Sequence, residues 1–336
     1  DQIKALGISS QGETVIPVDK NGRALRKAIV WLDNRSQEEA MEIEKEFGRK
    51  QVFAVTGSPE LMPTWGGTKI LWIKKHEPEV FKKTHKFLLL EDYLIYRLTG
   101  EFVGTFALYT STLLVDIVRK TVWREMLDFI GISASQLPEI TESGEVAGKV
   151  RKDAAEELGL STNTVVVTCG MDQACGSVGS GNIVSGLITE TTGASLNICA
   201  TVDRPVMDEA EPIPCQCHVV PDKYIVLPWC QTAGMVLKWF RDEFGAPETS
   251  NGAKAGKNPY DVMTELAAQV PAGAEGLVML PHLAGAMCPE FDPKARGVFF
   301  NISLDHRKAH FVRAILESVG FMLRRNIECV ESLGIK

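Results

Sequence analysis

Short apolar segments typical of β-strands alternate with segments typical of α-helices along most of this 336-residue chain. The apolar run at 3–8 is followed by an acidic, helix-forming stretch at 35–47, which Gly48 is placed to end. Further on, a helical stretch at 154–158 precedes a buried strand at 164–168. This alternation is typical of proteins in which helices cover a parallel or mixed sheet. The sequence therefore predicts an α/β fold.

The same patterns predict the remaining elements and two domains. Further strands are expected at 14–18, 28–32, 86–90, 187–191, 196–200 and 224–229, and further helices at 69–75, 92–98, 235–244 and 306–333. The polar stretch 245–259 predicts a surface loop. A chain of this length suggests roughly two domains of ~150 residues each. Because glycines cluster around 176–186, we expect domains at 1–182 and 183–336.

Composition excludes several classes of function. The chain carries 36 Lys plus Arg against 43 Asp plus Glu, a net charge of -7, which disfavours nucleic acid and anionic membrane surfaces as partners. Its apolar runs are far shorter than the ~20 residues that span a bilayer. The eight cysteines have no disulfide or zinc spacing, and Cys215-Gln-Cys217-His218 lacks a second ligand pair. We therefore expect a reduced, cytoplasmic enzyme in which these cysteines are small buried side chains.

The most informative position is Asp172, which follows the apolar stretch 165–171. An acid at the carboxyl end of a buried strand lies where open α/β sheets bind their ligands. The small residues 174–177 would let a helix approach closely. These features favour a general base that faces a substrate hydroxyl. The alternative is that Asp172 only caps the following helix.

Three further segments are candidate binding elements, each with a structural alternative. In 189–195, Thr192 and Gly193 could offer hydrogen bonds to phosphate oxygens, or form an ordinary β-turn. Gly234 begins a predicted helix, where backbone N–H groups could meet an anion or a glycine could permit close packing. Gln11, Gly12 and Glu13 could hold vicinal hydroxyls, or form a solvated turn. The sequence contains neither a Walker P-loop nor a dinucleotide-binding glycine motif.

Several stretches resemble carbohydrate kinases of the FGGY superfamily, which includes xylulokinase, glycerol kinase and gluconate kinase. Residues 297–317 resemble the second signature of the family nearly throughout, with Asn301 where glycine is usual. The other similar stretches follow in family order: Ala28-Ile-Val-Trp-Leu-Asp-Asn-Arg35, Gly67-Thr-Lys-Ile-Leu-Trp72, Glu91-Asp-Tyr-Leu-Ile-Tyr-Arg-Leu-Thr-Gly100, Gly170-Met-Asp-Gln173 and Ala233-Gly-Met-Val-Leu-Lys-Trp-Phe-Arg241. The resemblance covers essentially the whole chain.

The resemblance implies a two-domain, ribonuclease H-like fold of the actin and hexokinase type, with a cleft between the domains. It implies ATP-dependent phosphorylation of a sugar or polyol, with Mg²⁺ and with Asp172 as the base. By the same resemblance, domain 1–182 binds the sugar and domain 183–336 binds the nucleotide. The residues that it implies at the substrate are Gln11, Gly12, Glu13, Asp172 and Gln173, and at the nucleotide Thr192, Gly193 and Gly234. A homodimer is a possible state by analogy with the family.

The chain also departs from the family pattern. Family members begin with an Asp-x-Gly-Thr phosphate motif and continue into a Gly-Gly-Gly motif beyond the long helix, and neither occurs here. We therefore expect an internal portion of a longer kinase, which would bind ATP poorly alone. Gly12 replaces a larger residue, and 105–111 lacks the acids often found there.

The predicted acceptor is a ketopentose such as xylulose. Glycerol, gluconate or another polyol is the alternative acceptor. A non-catalytic sugar-binding module of the same fold and an actin-like ATPase are alternative functions. The Asp172-Gln173 pair argues against the actin-like ATPase.

Overall fold

The computed structural model describes residues 2–245 and 256–335. The chain divides into two compact units. Unit 1 contains Asp1–Thr189 and Cys199–Leu227, and unit 2 contains Glu190–Ile198 and Pro228–Lys336. Both units are therefore built from two separate stretches of chain. The predicted domains 1–182 and 183–336 stay a prediction.

The helices and strands alternate along the chain, as expected for an α/β protein. The strands are β1 (Ala5–Ser10), β2 (Ile16–Val18), β3 (Lys86–Leu88), β4 (Val103–Thr105), β5 (Val115–Asp116), β6 (Thr121–Val122), β7 (Glu139–Thr141), β8 (Val146–Lys149), β9 (Val165–Met171), β10 (Ile188–Thr192), β11 (Leu196–Val202), β12 (Cys215–Cys217), β13 (Tyr224–Val226), β14 (Trp229–Cys230), β15 (Val278–Leu280) and β16 (Val298–Phe300). The helices are α1 (Gln37–Phe47), α2 (Arg49–Thr56), α3 (Gly66–His76), α4 (Pro78–Lys83), α5 (Leu90–Thr99), α6 (Phe106–Tyr109), α7 (Arg124–Ile130), α8 (Lys152–Leu158), α9 (Asp172–Gly179), α10 (Gly234–Phe244), α11 (Pro259–Ala267) and α12 (Lys308–Ser332). Short 3-10 turns occur at Ala134–Gln136 and Ala274–Gly276.

A three-stranded sheet in unit 1 has the order β1-β9-β8. β1 runs parallel to β9, while β8 runs antiparallel to it. One face of this sheet is covered by α5 and α8, because Ile95, Ala154 and Ala155 pack with Val166 in one apolar cluster. Since β1 and β9 are parallel neighbours, their carboxyl ends lie at the same edge of the sheet. The residues that follow these two strands are therefore held close together.

A second set of strands in unit 1 explains the cysteine-rich segment. The later part of β11 pairs antiparallel with β13, and β13 pairs antiparallel with β12. Cys215, Gln216 and Cys217 of β12 are all buried. His218 is also buried, and its Nδ1 accepts a 3.0 Å hydrogen bond from the backbone N–H of Val220. The buried-strand interpretation of this segment is confirmed.

Unit 2 is organised around the long helix α12. Val312, Ala314 and Ile315 of this helix pack with Phe240 of α10 and Met263 of α11. A second apolar cluster joins the next turns of α12, at Val319 and Met322, to the start of β11 and to β14. The helical spacing of apolar residues predicted at 306–333 is thus the face that α12 buries.

Most predicted elements occur within a few residues of their expected bounds, but the strand predicted at 28–32 is wrong. Only Ile29 forms a β-bridge there, by exchanging backbone hydrogen bonds of 3.0 and 3.1 Å with Val15. The next carbonyl, at Val30, accepts a turn hydrogen bond from the N–H of Asp33, so no ladder continues. The predicted loop at 245–259 lies mostly outside the described residues, and its last residue, Pro259, begins α11. No helix within 2–245 or 256–335 has the length and apolar character needed to cross a bilayer.

Candidate functional site

The carboxyl ends of β1 and β9 bring most of the predicted acceptor residues together. Ser10 pairs with Met171 in the parallel ladder, so the two strands end side by side. From Ser10 the chain continues into the turn Gln11-Gly12-Glu13, which we call the acceptor turn. From Met171 it continues directly into Asp172, the first residue of α9. Burial is the largest cause of the raised pKa of the Glu13 carboxyl, and the negative charge of Asp172 raises it further.

Asp172 is a solvent-exposed carboxylate at the start of α9. The residue that caps this helix is Met171, and Asp172 Oδ1 accepts a 2.8 Å hydrogen bond from the N–H of Gln173. Partial desolvation by neighbouring atoms raises the pKa of the Asp172 carboxyl, while this backbone hydrogen bond opposes the rise. A carboxylate with a raised pKa is a stronger base than an ordinary aspartate. Its position and its basicity both fit proton abstraction from a bound hydroxyl.

Glu13 is held in an unusual backbone conformation. Its φ is 55°, in the left-handed region that non-glycine residues seldom adopt. Burial raises the pKa of its carboxyl to about 7, with Ser111 and Lys69 acting in the opposite direction. Such strained residues cluster at functional sites, where the surroundings hold them in place. Glu13 can therefore change its charge near neutral pH beside Asp172.

The other acceptor-turn residues are closely packed. A Cβ atom at Gly12 would lie 2.6 Å from the buried hydroxyl of Ser111, so this position needs glycine. Gln11 Nε2 donates a 2.9 Å hydrogen bond to Thr14 Oγ1 within the turn. Gln173 is half-buried, and its carbonyl accepts a 3.0 Å hydrogen bond from Ser177 of the same helix. The roles of these residues toward a substrate stay predictions.

Lys69 is a component of this region that the sequence reasoning missed. It lies on α3 with 0% exposure, and its Nζ donates hydrogen bonds of 2.8 Å to the carbonyl of Glu13 and 2.9 Å to that of Val30. Burial lowers the pKa of this amino group to about 8, while Glu13 and Asp33 act to raise it. The available signal was a lysine next to the apolar pair Ile70-Leu71 in a helix-forming stretch.

Glu91 is the second residue that the sequence reasoning missed. This fully buried side chain accepts a 2.6 Å hydrogen bond at Oε1 from the N–H of Cys169, and Thr105 donates to its other oxygen at 3.4 Å. Burial raises the pKa of Glu91 to about 8. The sequence feature that could have indicated Glu91 is the acidic pair Glu91-Asp92, which directly follows an apolar run. Glu91 supports the end of β9 without belonging to the acceptor turn.

Two of the three predicted nucleotide residues meet in unit 2. The N–H of Gly234 donates a 3.0 Å hydrogen bond to the carbonyl of Gly193, and a Cβ atom at 234 would lie 2.5 Å from that oxygen. Close approach therefore requires glycine at the start of α10. Thr192 ends β10, and its hydroxyl donates to the carboxylate of Glu190. Because the N–H of Gly234 is engaged within unit 2, other donors would have to contact a phosphate there.

Comparisons with known proteins identify the family. The family model described as "FGGY family of carbohydrate kinases, N-terminal domain" matches residues 1–179, and the corresponding C-terminal domain model matches residues 195–336. A gluconokinase of Bacillus subtilis is 32% identical over 323 residues, which cover 96% of this chain and 62% of the relative. A xylulose kinase of the same species is 31% identical over 332 residues, which cover 99% of this chain and 64% of the relative. The chain thus spans less than two thirds of the length of these relatives.

Solved structures give the same result for the fold. The crystal structure of a xylulose kinase from Rhodospirillum rubrum superposes with a TM-score of 0.85 at 29% identity, over 98% of this chain and 65% of the other. That of a gluconate kinase from Lactobacillus acidophilus gives 0.86 at 26% identity, over 98% and 65%. The predicted fold class, that of the sugar kinases of the actin and hexokinase type, is confirmed. Because its two domain models together match most of the sequence, the chain belongs to the FGGY family of carbohydrate kinases.

Proposed function

We propose that this chain is part of an ATP-dependent kinase that phosphorylates a hydroxyl group of a sugar, with Asp172 as the general base. The observation that supports this most directly is the position of Asp172 immediately after β9, beside the acceptor turn that follows β1. Ligands of open α/β sheets bind at the carboxyl ends of such strands. An acceptor bound there would have a carboxylate within reach of its hydroxyl proton.

The proposed reaction is an in-line phosphoryl transfer. The acceptor oxygen forms a bond to the γ-phosphorus of ATP, the bond from that phosphorus to the bridging oxygen breaks, and ADP leaves. The hydroxyl proton passes to the carboxylate of Asp172. Because phosphoryl transfer depends chiefly on positioning and on neutralising charge, a single well-placed base is a sufficient contribution from this part of the protein.

An uncharged sugar is the acceptor that the charges in unit 1 favour. Glu13 and Asp172 are both acidic, and the amino group of Lys69 is engaged with the carbonyls of Glu13 and Val30. A sugar acid would bring a third carboxylate near these groups, and like charges disfavour each other's ionised forms. We therefore propose a ketopentose such as xylulose as the acceptor, ahead of gluconate.

The proposed nucleotide-binding residues are Thr192, Gly193 and Gly234 of unit 2. Gly234 contributes the close approach of α10 to the carbonyl of Gly193, because its own N–H is engaged there. Backbone and hydroxyl groups of a glycine-containing turn are suitable partners for phosphate oxygens. Residues 2–245 and 256–335 contain no group of three or more His, Cys, Asp or Glu side chains arranged to hold a metal ion. Mg²⁺ in such reactions is usually held by substrate phosphates, water and one or two carboxylates, so it does not need a group of three protein ligands. We therefore treat the metal as a partner of ATP and assign no residue of this chain to it.

The deciding experiment measures ADP release by the full-length protein that contains this chain, with xylulose, other ketopentoses, gluconate and glycerol as acceptors. We expect turnover with a ketopentose. Asp172→Asn should lower kcat by roughly 10²–10⁴-fold, because an amide cannot accept the proton. Acceptor affinity measured by calorimetry should change little.

Asp222→Asn is the matched control, because Asp222 has a side chain that is 96% exposed and a φ of 57°, which asparagine tolerates. This variant should retain normal turnover. Normal turnover in Asp172→Asn would exclude Asp172 as the base. Sugar binding without any turnover by the unaltered protein would instead favour a non-catalytic sugar-binding module.

A further inference from the structure

Lys69 places an amino group inside unit 1, directly behind the acceptor turn. The side chain is 0% exposed, although lysine is almost never fully buried unless its charge has partners. Its hydrogen-bond partners are the carbonyl oxygens of Glu13 and Val30, which lie 56 and 39 residues away in sequence. One ammonium group therefore joins α3 to two distant segments of backbone.

The Glu13 carbonyl belongs to the strained residue of the turn. Glu13 adopts a φ of 55°, and a non-glycine residue keeps such a conformation only when its surroundings hold it there. Lys69 Nζ donates its 2.8 Å hydrogen bond to the carbonyl oxygen of that same residue. Lys69 is therefore placed to stabilise the left-handed conformation of Glu13.

The second carbonyl belongs to the segment that follows the Val15–Ile29 bridge. Val30 accepts hydrogen bonds from Lys69 Nζ at 2.9 Å and from the N–H of Asp33 at 3.0 Å. The turn that begins at Val30 is thus connected to the acceptor turn through Lys69. Removal of the amino group would release both segments together.

The positive charge of Lys69 also interacts with the acceptor turn. Its ammonium group interacts favourably with the carboxyls of Glu13 and Asp33. Burial and the charge of Asp172 raise the pKa of the Glu13 carboxyl, whereas Ser111 and Lys69 act to lower it. Lys69 is therefore the positive group that favours the ionised form of Glu13, the form that accepts hydrogen bonds from sugar hydroxyls at both oxygens.

We propose that Lys69 is a positioning residue for the acceptor: its buried amino group holds the turn Gln11-Gly12-Glu13 in the conformation that presents Glu13 to the sugar. This inference rests on the proposed kinase function. It assigns Lys69 an effect on acceptor affinity and none on nucleotide affinity. Lys69 itself touches backbone carbonyls and not the substrate.

The test is the variant Lys69→Met in the full-length protein, with KM and kcat measured separately for the acceptor and for ATP. Methionine fills a similar volume and removes both the charge and the hydrogen-bond donors. We expect the acceptor KM to rise at least about tenfold, the factor that a lost interaction of ordinary strength produces. The KM for ATP should stay within twofold. The control is Lys82→Met, because the exposed side chain of Lys82 forms an ion pair with exposed Glu79. This variant should leave both KM values unchanged.

A second variant covers the possibility that Lys69→Met does not fold. Lys69→Gln keeps N–H donors without the charge, so we expect an acceptor KM between those of the parent and Lys69→Met. An unchanged acceptor KM in folded Lys69→Met, or a parallel rise in both KM values, would overturn the proposal. Failure of both variants to fold would also overturn it, because Lys69 would then be required for folding. If the unaltered protein shows no turnover, the proposed function fails by itself, and calorimetric sugar affinity of the same variants decides the role of Lys69.

Discussion

Glu91 Oε1 accepts a 2.6 Å hydrogen bond from the backbone N–H of Cys169, three residues before Asp172. This contact joins the start of α5 to the end of β9 across 78 residues of sequence. The carbonyl of Cys169 is also occupied, because it accepts a hydrogen bond from the hydroxyl of Ser143. The backbone that leads to Asp172 is therefore held on both sides by side chains outside the acceptor turn.

Glu91 should be replaceable by glutamine but not by alanine. Because burial raises its pKa to about 8, the Glu91 side chain is mostly neutral at pH 7, and a neutral amide can still accept the hydrogen bond from Cys169. We expect Glu91→Gln to change the free energy of unfolding by less than about 1 kcal/mol. Glu91→Ala should cost about 1–3 kcal/mol, because it leaves a buried N–H unpaired. Urea unfolding at pH 7 measures both, and equal losses in the two variants would contradict the prediction.

The raised pKa of Glu91 should also make the free energy of unfolding depend on pH. The folded-state pKa of Glu91 is about 8, above the ordinary glutamate value of 4.5, so the folded protein binds this proton more tightly than the unfolded chain. The stabilisation that Glu91 contributes is fully present below about pH 4.5 and is lost as the pH rises toward about 8. Glu91→Gln should therefore reduce the decline in unfolding free energy over this interval. The decline should not vanish, because the raised pKa values of Asp92, about 6, and Glu13, about 7, act in the same direction.

Glu13 should make acceptor affinity depend on pH near neutrality. Its pKa is raised to about 7 by burial, and its ionised form accepts more hydrogen bonds from sugar hydroxyls than its protonated form. We expect the acceptor KM to fall as the pH rises through about 7. In Glu13→Gln this dependence should flatten while the KM itself increases. Steady-state kinetics between pH 6 and 8 test this, and an identical pH profile in the variant would remove Glu13 from acceptor binding.

Gly12 and Ser111 should behave as a coupled pair. A Cβ atom at position 12 would lie 2.6 Å from Ser111 Oγ, so Gly12→Ala should destabilise the protein by about 1–3 kcal/mol through overpacking. It should also raise the acceptor KM by displacing the acceptor turn. Ser111→Gly removes the colliding oxygen, and the double variant should recover much of the loss. A double-mutant cycle in thermal unfolding measures the coupling, and strictly additive effects would show that the two positions are independent.

Gly234→Ala should destabilise unit 2, whereas replacement of a glycine that has free space around it should not. The new Cβ would lie 2.5 Å from the carbonyl oxygen of Gly193, so we expect a lower melting temperature and a higher KM for ATP. Gly320→Ala is the matched control, since Gly320 lies within α12 and a Cβ there meets no atom within 4 Å. Because alanine favours helix over glycine, this control should stabilise the protein by up to about 1 kcal/mol. Calorimetric unfolding together with ATP kinetics separates the two variants, and equal behaviour would refute the prediction.

Local patterns in the sequence were sufficient for many of the elements and for the most important candidate residue. The acidic helix at Gln37–Phe47 ends at Gly48, and the helix Leu90–Thr99 ends at Gly100, which adopts a left-handed φ of 88°. The apolar strand Val165–Met171 is followed at once by Asp172. These features arise from contacts within a few residues, such as helix termination by glycine and the spacing of apolar side chains. They can therefore be read from neighbouring letters of the sequence.

The same local patterns predicted strands less well where the hydrogen-bond partners of the backbone lie far away in the sequence. The apolar stretch 28–32 has the composition of a strand, yet only Ile29 forms a β-bridge within it. The next carbonyl, that of Val30, accepts hydrogen bonds from the N–H of Asp33 and from Lys69 Nζ instead of from a neighbouring strand. The strands β4 and β7, which pair with each other, have only three residues each, too few to show an alternating pattern. Pairing decides strand formation in such segments more than composition does.

The residues around the candidate acceptor site came together only through tertiary structure. Glu91 contacts Cys169 from 78 residues away, and Lys69 contacts Glu13 from 56 residues away. The sequence alone placed Asp172 after a strand and Glu13 in a turn, because those are local properties. The sequence alone could not show that Lys69, Ser111 and Glu91 lie near these residues. Each of these contacts joins positions far apart in the sequence, and the packing of the whole unit decides which positions meet.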